Sequence, residues 1–237
     1  MSKTKKLKQK TTGFDILFRV VTAIACVAIY PVFYFADLIH ILITHKDISD
    51  LLNKLNGEST STLQATEESI SLAELPEWIS MFSGFSDGSF DFKASILQNE
   101  LYRPLVVAAV FIAIALVLGL VILGFAIFSN KIKAIIGLSG AGFLSTVAAY
   151  IAFSFFANPL MAGEITLSEV LNMDGIISSL IIGFLGEVAS FTLDGAFWGL
   201  MFIMLGICAW SVSVLLVNIS DEKEKAMKKA ERERQKS

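Results

Sequence analysis

Four apolar stretches decide what this chain can become. Val20–Ala36 carries no charge, and its apolar pattern runs on to about Thr44. Val106–Phe128 is almost wholly aliphatic, Ala134–Ala157 follows after a short gap, and Gly195–Val217 comes last. A helix needs about 20 residues to cross a bilayer. In lipid an open chain satisfies its backbone polar groups only as an uninterrupted helix. The sequence therefore predicts an all-α integral membrane protein with four transmembrane helices. Composition agrees: 17% of residues are charged, against roughly a quarter in a soluble domain.

Charge placement orients the spans. Residues 1–13 carry five lysines and no acid, and the short turn 129–133 carries Lys131 and Lys133. The tail from Asn218 holds seven basic and five acidic residues. By contrast, 46–103 holds four basic and ten acidic residues, and 158–194 holds five acids and no base. Basic segments stay in the cytoplasm. Both termini are thus expected inside, with two acidic extracytoplasmic segments that contain short amphipathic helices. The expected organisation is a basic N-terminus (1–13), a first span (14–44), an outer segment (45–103), a second span (104–128), a turn (129–133), a third span (134–157), a second outer segment with an interfacial helix (158–194), a fourth span (195–217) and a charged tail (218–237). Asp15 and Arg19 interrupt the early part of the first apolar run, which also exceeds a signal-peptide core, so an uncleaved first helix is expected.

Two hexamers, ISLAEL at 70–75 and ITLSEV at 165–170, follow one local rule. Ser71 and Glu74 make S-x-x-E, and Thr166 and Glu169 make T-x-x-E. In a capping box the hydroxyl and the carboxylate each take up a free backbone N–H at a helix start. Ile70/Leu75 and Ile165/Val170 stand where a hydrophobic staple would. An internal duplication and two independent caps both explain the likeness. Pro76 limits any helix in the first copy. After the second copy, Ile176, Ile177, Leu180, Ile181, Phe184, Leu185, Val188 and Phe191 recur with helical spacing, which predicts an amphipathic interfacial helix over 175–193.

Chemistry-bearing residues are few. Asp37 and His40 lie three apart near the end of the first predicted helix and would share a face there. They form the candidate polar site, as a hydrogen-bonded pair at headgroup level or as a proton relay. Pro31 is the candidate hinge, because a mid-helix proline bends a helix. GLSGAG at 137–142 lacks both the strand and the Lys-Ser/Thr of a phosphate loop. Gly137 and Ala141 make small-xxx-small, and Gly195 and Gly199 make GxxxG. Contact between the third and fourth helices is their first expected use, and self-association the second. Cys26 and Cys208 both lie in apolar spans and the outer segments contain no cysteine, so no disulfide framework is expected. No metal or cofactor motif is present, and catalysis is not expected.

The expected function is that of a non-enzymatic accessory or scaffold subunit working through intramembrane helix contacts. An oligomeric cation-preferring channel is the alternative, and a small transporter the second. The expected partners are the lipid bilayer and either a second copy or another membrane protein, with no nucleic acid. The expected location is a bacterial plasma membrane.

Overall fold

The computed structural model describes residues 13–46, 63–74, 100–129, 131–165 and 187–235. Four helices dominate: α1 (Gly13–Phe35), α2 (Arg103–Phe128), α3 (Ile132–Met161) and α4 (Gly195–Arg234). All four are long and apolar enough to cross a membrane. Each helix packs on its sequence neighbour, and α4 closes the ring against α1. That is the adjacency of an up-down-up-down bundle. The apolar surface turned outward is large: Ile24 is 64% exposed, Leu144 66% and Phe155 69%. Water would not tolerate apolar area on that scale, whereas lipid would.

The chain is not all helix. Strands β1 (Asp37–Lys46), β2 (Leu63–Ser71) and β3 (Glu187–Leu193) form an antiparallel sheet in the order β2-β1-β3. Three expectations are corrected here. The first helix ends at Phe35 rather than continuing to residue 44. Residues 187–193 are a strand rather than the end of an interfacial helix, and the rest of that predicted helix, 175–186, lies outside the described residues. The fold class is accordingly a helical bundle with a small sheet at one end. The physical reason lies in DLIHILITHK itself: Ile39, Ile41, Ile43 and Thr44 are β-branched, which favours strand over helix. Partner strands then satisfy backbone groups that a helix would have paired internally.

The sheet is tied tightly to the helices. Only Ala36 separates α1 from β1, and only Asp194 separates β3 from α4. The Asp194 N–H donates to the Leu38 carbonyl at 2.9 Å, and its side chain accepts from the Gly195 N–H at 2.7 Å, capping α4. Trp198 Nε1 donates back to the Leu193 carbonyl at 3.0 Å. Ile39 pairs with Leu193, and Ile41 with Phe191, on the face that packs on the bundle. Phe191 lies against Phe153 and Phe156, with ring centroids 5.2 and 5.8 Å away. Those rings seat β3 on α3.

At the opposite end of the bundle, α2 and α3 are joined by the short turn carrying Lys131. Arg19 of α1 donates from Nε to the Ala126 carbonyl at 2.7 Å and from a terminal nitrogen to the Ile127 carbonyl. It thereby serves carbonyls that the last turn of α2 leaves unpaired. α3 ends at Met161 and the chain turns off it at Gly163, whose φ of 70° is the left-handed conformation that glycine adopts most readily, with the Glu164 N–H returning to the Pro159 carbonyl at 3.0 Å. α4 spans about 60 Å, of which the apolar part to Val217 takes about 35 Å. Its charged remainder is exposed and carries the Glu224–Lys228 ion pair.

Candidate functional site

Asp37 and His40 do share a face, but not a helical one. Residues three apart in a regular strand point to opposite sides. The register on β2 skips between Asp37 and Ile39, so Asp37 stands opposite Ser71 and His40 opposite Ser69. Ser69 and Ser71 lie two apart on one side of β2. The irregularity therefore returns Asp37 and His40 to a common face, about 7 Å apart along it. Thr192 flanks His40 from β3. The result is a polar strip on which Asp37 and Thr192 are exposed, His40 and Ser69 are half-buried and Ser71 is buried.

Of the first capping box the carboxylate arm is formed, at the end of β2, and the residues after Glu74 lie outside the described residues. The Ser71 N–H donates to Glu74 Oε2 at 3.1 Å, which is the carboxylate arm of the motif. The Glu74 N–H bonds to the Ser71 carbonyl at 3.2 Å, closing a turn at the end of β2. The Ala73 N–H then reaches the Tyr34 carbonyl at 3.1 Å, docking that turn on the end of α1. Thr166 and Glu169 lie outside the described residues. Pro31 sits within α1, which continues past it for one further turn to Phe35. Tyr30 beside it donates from its hydroxyl to the Leu116 carbonyl of α2 at 2.9 Å.

The glycines divide into two sets. A Cβ on Gly199 would lie 2.9 Å from Val32 Cγ1, so this residue brings α4 close to α1 rather than to α3. Gly195 has only the Asp37 carbonyl at 4.0 Å. Gly142 and Gly119, which the sequence did not single out, hold the centre. A Cβ at 142 would lie 2.9 Å from Met204 Sδ, and one at 119 would lie 3.4 Å from Met204 Cε. The signal available was small residues on facing helices opposite one long flexible side chain. Gly137 and Gly140 behave differently, because nothing lies within 4 Å of their Cβ positions. Gly137 and Ala141 are both exposed, and Leu144 continues their face. The expected contact of Gly137/Ala141 with α4 is therefore corrected: these residues point away from it.

Buried hydroxyls stand at more than one level of the bundle interior. Ser139 and Thr146 donate within α3, to the Ile135 and Phe143 carbonyls at 2.8 and 2.7 Å. Thr22 and Ser211 are fully buried, and their hydroxyls have no partner among the described residues. Counting along antiparallel α1 and α4 from the Val32–Gly199 contact puts Thr22 about level with Ala209. Thr22 and Ser211 thus occupy neighbouring levels. Around them Phe18, Cys26, Ile29, Ile122, Ile135 and Met204 are buried and fill the interior. Among the described residues the buried polar set is made of Ser and Thr alone.

Among the described glycines, Gly137 and Gly140 lie on an open α3 face that Ala141 and Leu144 continue. Gly124 and Gly206 are open as well, but Leu120 and Phe128, or Phe202 and Trp210, stand four residues away from them. Neither offers the small-xxx-small spacing that lets a second helix backbone approach. Comparison with protein-family models, curated proteins and solved structures finds no match for this chain.

Proposed function

We propose that this protein is a non-enzymatic four-span membrane protein that acts as an accessory or scaffold subunit, holding a partner helix against α3. One observation carries the reading. Gly137 and Ala141 make a small-residue face that no atom of the described residues covers at Gly137, whereas Gly119, Gly142 and Gly199 are used inside the bundle. The partner is a second copy or another membrane protein. The filled interior supports a packed scaffold over conduction through a single copy, so a channel would require several copies around a shared axis. The sheet, joined to α1 and α4 through single residues, would keep the outer end of the scaffold rigid.

The proposed orientation places both termini and the Lys131/Lys133 turn in the cytoplasm and the sheet outside, in keeping with the lysine distribution. A bacterial plasma membrane suits the cysteine-free outer segments. A cysteine introduced at Gly163 is expected to react with an impermeant thiol reagent in intact cells, and one at Ser129 only after lysis. Labelling of Ser129→Cys without lysis would reverse the orientation.

The contact itself is tested with Gly137→Leu/Ala141→Leu. The double variant is expected to lose its partner, or its dimer, in detergent-solubilised pull-down and mass measurement. Its melting temperature should match the parent, because exposed substitutions typically shift stability by only about 0.5 kcal/mol. Retained assembly would place the interface elsewhere.

A further inference from the structure

At the end of the bundle away from the sheet, the first turn of α3 and the α4 segment where apolar sequence gives way to charge line an open pocket of about 630 Å³. That volume lies in the range of small-ligand sites, about 300–1,000 Å³. Its polar lining is Lys131, Lys133, Asn218 and Glu222, and Leu215 and Ile219 are among its apolar lining. Lys131 and Lys133 are exposed. Among the described residues neither lysine is in an ion pair, while Arg19 at the same end is occupied with the carbonyls of α2. The wall therefore presents two ammonium groups against one carboxylate, an excess of one positive charge. Leu215, Asn218, Ile219 and Glu222 follow each other at helical spacing, so apolar and polar walls lie end to end along α4. Exposed Val212 and Leu216 extend the apolar part towards the middle of the helix.

We infer that this pocket binds the headgroup of an anionic phospholipid carrying a single phosphodiester, with the phosphate between Lys131 and Lys133 and the acyl chains along Val212, Leu216 and Ile219. Three features select that chemistry. The single surplus positive charge matches a monoanion and leaves a multiply charged headgroup under-neutralised. Asn218 and Glu222 supply acceptors for headgroup hydroxyls beside the phosphate. The transition from apolar to polar lining falls where α4 passes Val217, at the depth of a membrane surface. Basic pockets between spanning helices hold anionic headgroups by this combination of charge and position. The inference rests on the helices crossing a bilayer and is independent of the contact proposed for α3.

The test uses the full chain in detergent, with phosphatidylglycerol as the probe and phosphatidylcholine and inorganic phosphate as comparators. Bound lipid is read by native mass spectrometry and by the shift in melting temperature. Phosphatidylglycerol is expected to be retained and to raise the melting temperature, and phosphatidylcholine and phosphate to do neither. Lys131→Ala/Lys133→Ala should weaken phosphatidylglycerol binding about 25-fold, from about fivefold for each surface lysine. Its lipid-free melting temperature should stay at the parental value. Arg232→Ala/Arg234→Ala removes the same charge from the distal tail and should leave binding intact. Equal loss in both double variants would mean diffuse attraction and overturn the pocket. Unchanged binding in Lys131→Ala/Lys133→Ala, equal retention of phosphatidylcholine, or an equal shift with phosphate alone would overturn it too.

Discussion

Gly142→Leu is expected to lower the melting temperature of the detergent-solubilised protein further than the same change at any other glycine of the bundle. Even a lone Cβ at 142 would stand 2.9 Å from the sulfur of Met204, closer than such contacts occur. Methionine is adaptable and would normally yield. Here it has nowhere to go: Met204 is 0% exposed, and its terminal methyl already lies 3.4 Å from the Cβ position of Gly119 on α2. Three helices converge on this one side chain. Overpacking a close-packed interior costs about 1–3 kcal/mol and sometimes more, and leucine adds a branched side chain where a single carbon is already too many. Shortening the obstruction should compensate. Met204→Ala alone opens a cavity and costs about 2–5 kcal/mol, yet combined with Gly142→Leu it should restore part of the loss. Gly137→Leu serves as the reference, because its Cβ position is open. If Gly142→Leu and Gly137→Leu melt alike, or the double variant is only additive, Met204 is not the wedge that sets the spacing of α2, α3 and α4.

Phe197→Ala should be the most damaging truncation at the sheet end, by about 3–5 kcal/mol. Phe197 is 0% exposed and lies in a cluster with Ala108 of α2 and with Ala149, Ala152 and Ala157 of α3. Four alanines there make room for the rings of Phe197 and Phe153. Alanine side chains cannot extend to fill a void, so the cavity would persist, and residual cavity volume is what makes such losses large. The ring also stacks near Tyr150, with centroids 6.4 Å apart, and meets Trp198 edge-on at 5.6 Å. Trp198 in turn holds the corner between β3 and α4 through the Leu193 carbonyl. Loss of Phe197 should therefore loosen the sheet as well as the helices. Melting should fall, and protease should cut near 187–194 at concentrations the parent resists. Phe197→Leu, which keeps most of the volume, should recover more than half of the stability. A loss below about 1 kcal/mol for Phe197→Ala would mean that the alanine-lined space collapses and that the seat of the sheet is elsewhere.

The elements differed in how legible they were. The four helices could be read from composition and length, because burial in lipid demands long uncharged runs and leaves few alternatives. The strands were harder. Residues 37–46 continue an apolar run directly from α1, and an apolar run with no break reads as one helix. The available signal was the clustering of Ile39, Ile41, Ile43 and Thr44, with polar His40 between them. Phe191 and Leu193 on one side of β3, with Ser190 and Thr192 on the other, carried a period of two that the stronger helical spacing upstream obscured. The capping box at Ser71 and Glu74 was legible as local chemistry, since it needs only residues three apart. That the turn it closes docks on the end of α1 depends on Tyr34, which is far away in the chain.

By itself the sequence determined the four helices long and apolar enough to span a membrane, because these follow from the hydrophobicity and length of single segments. It also brought Asp37 and His40 to notice, but for a helical reason that does not hold. Tertiary structure alone decided which glycines are contacts. Gly142 and Gly137 stand five residues apart in one helix and are equally small, yet one is pressed against Met204 and the other lies open. It also decided that Asp37 and His40 share a sheet face, through the register that β1 adopts on β2. Hydrophobicity is a property of a segment, whereas a contact belongs to a pair of segments. Which pair forms is settled only when rotation, depth and register are chosen together.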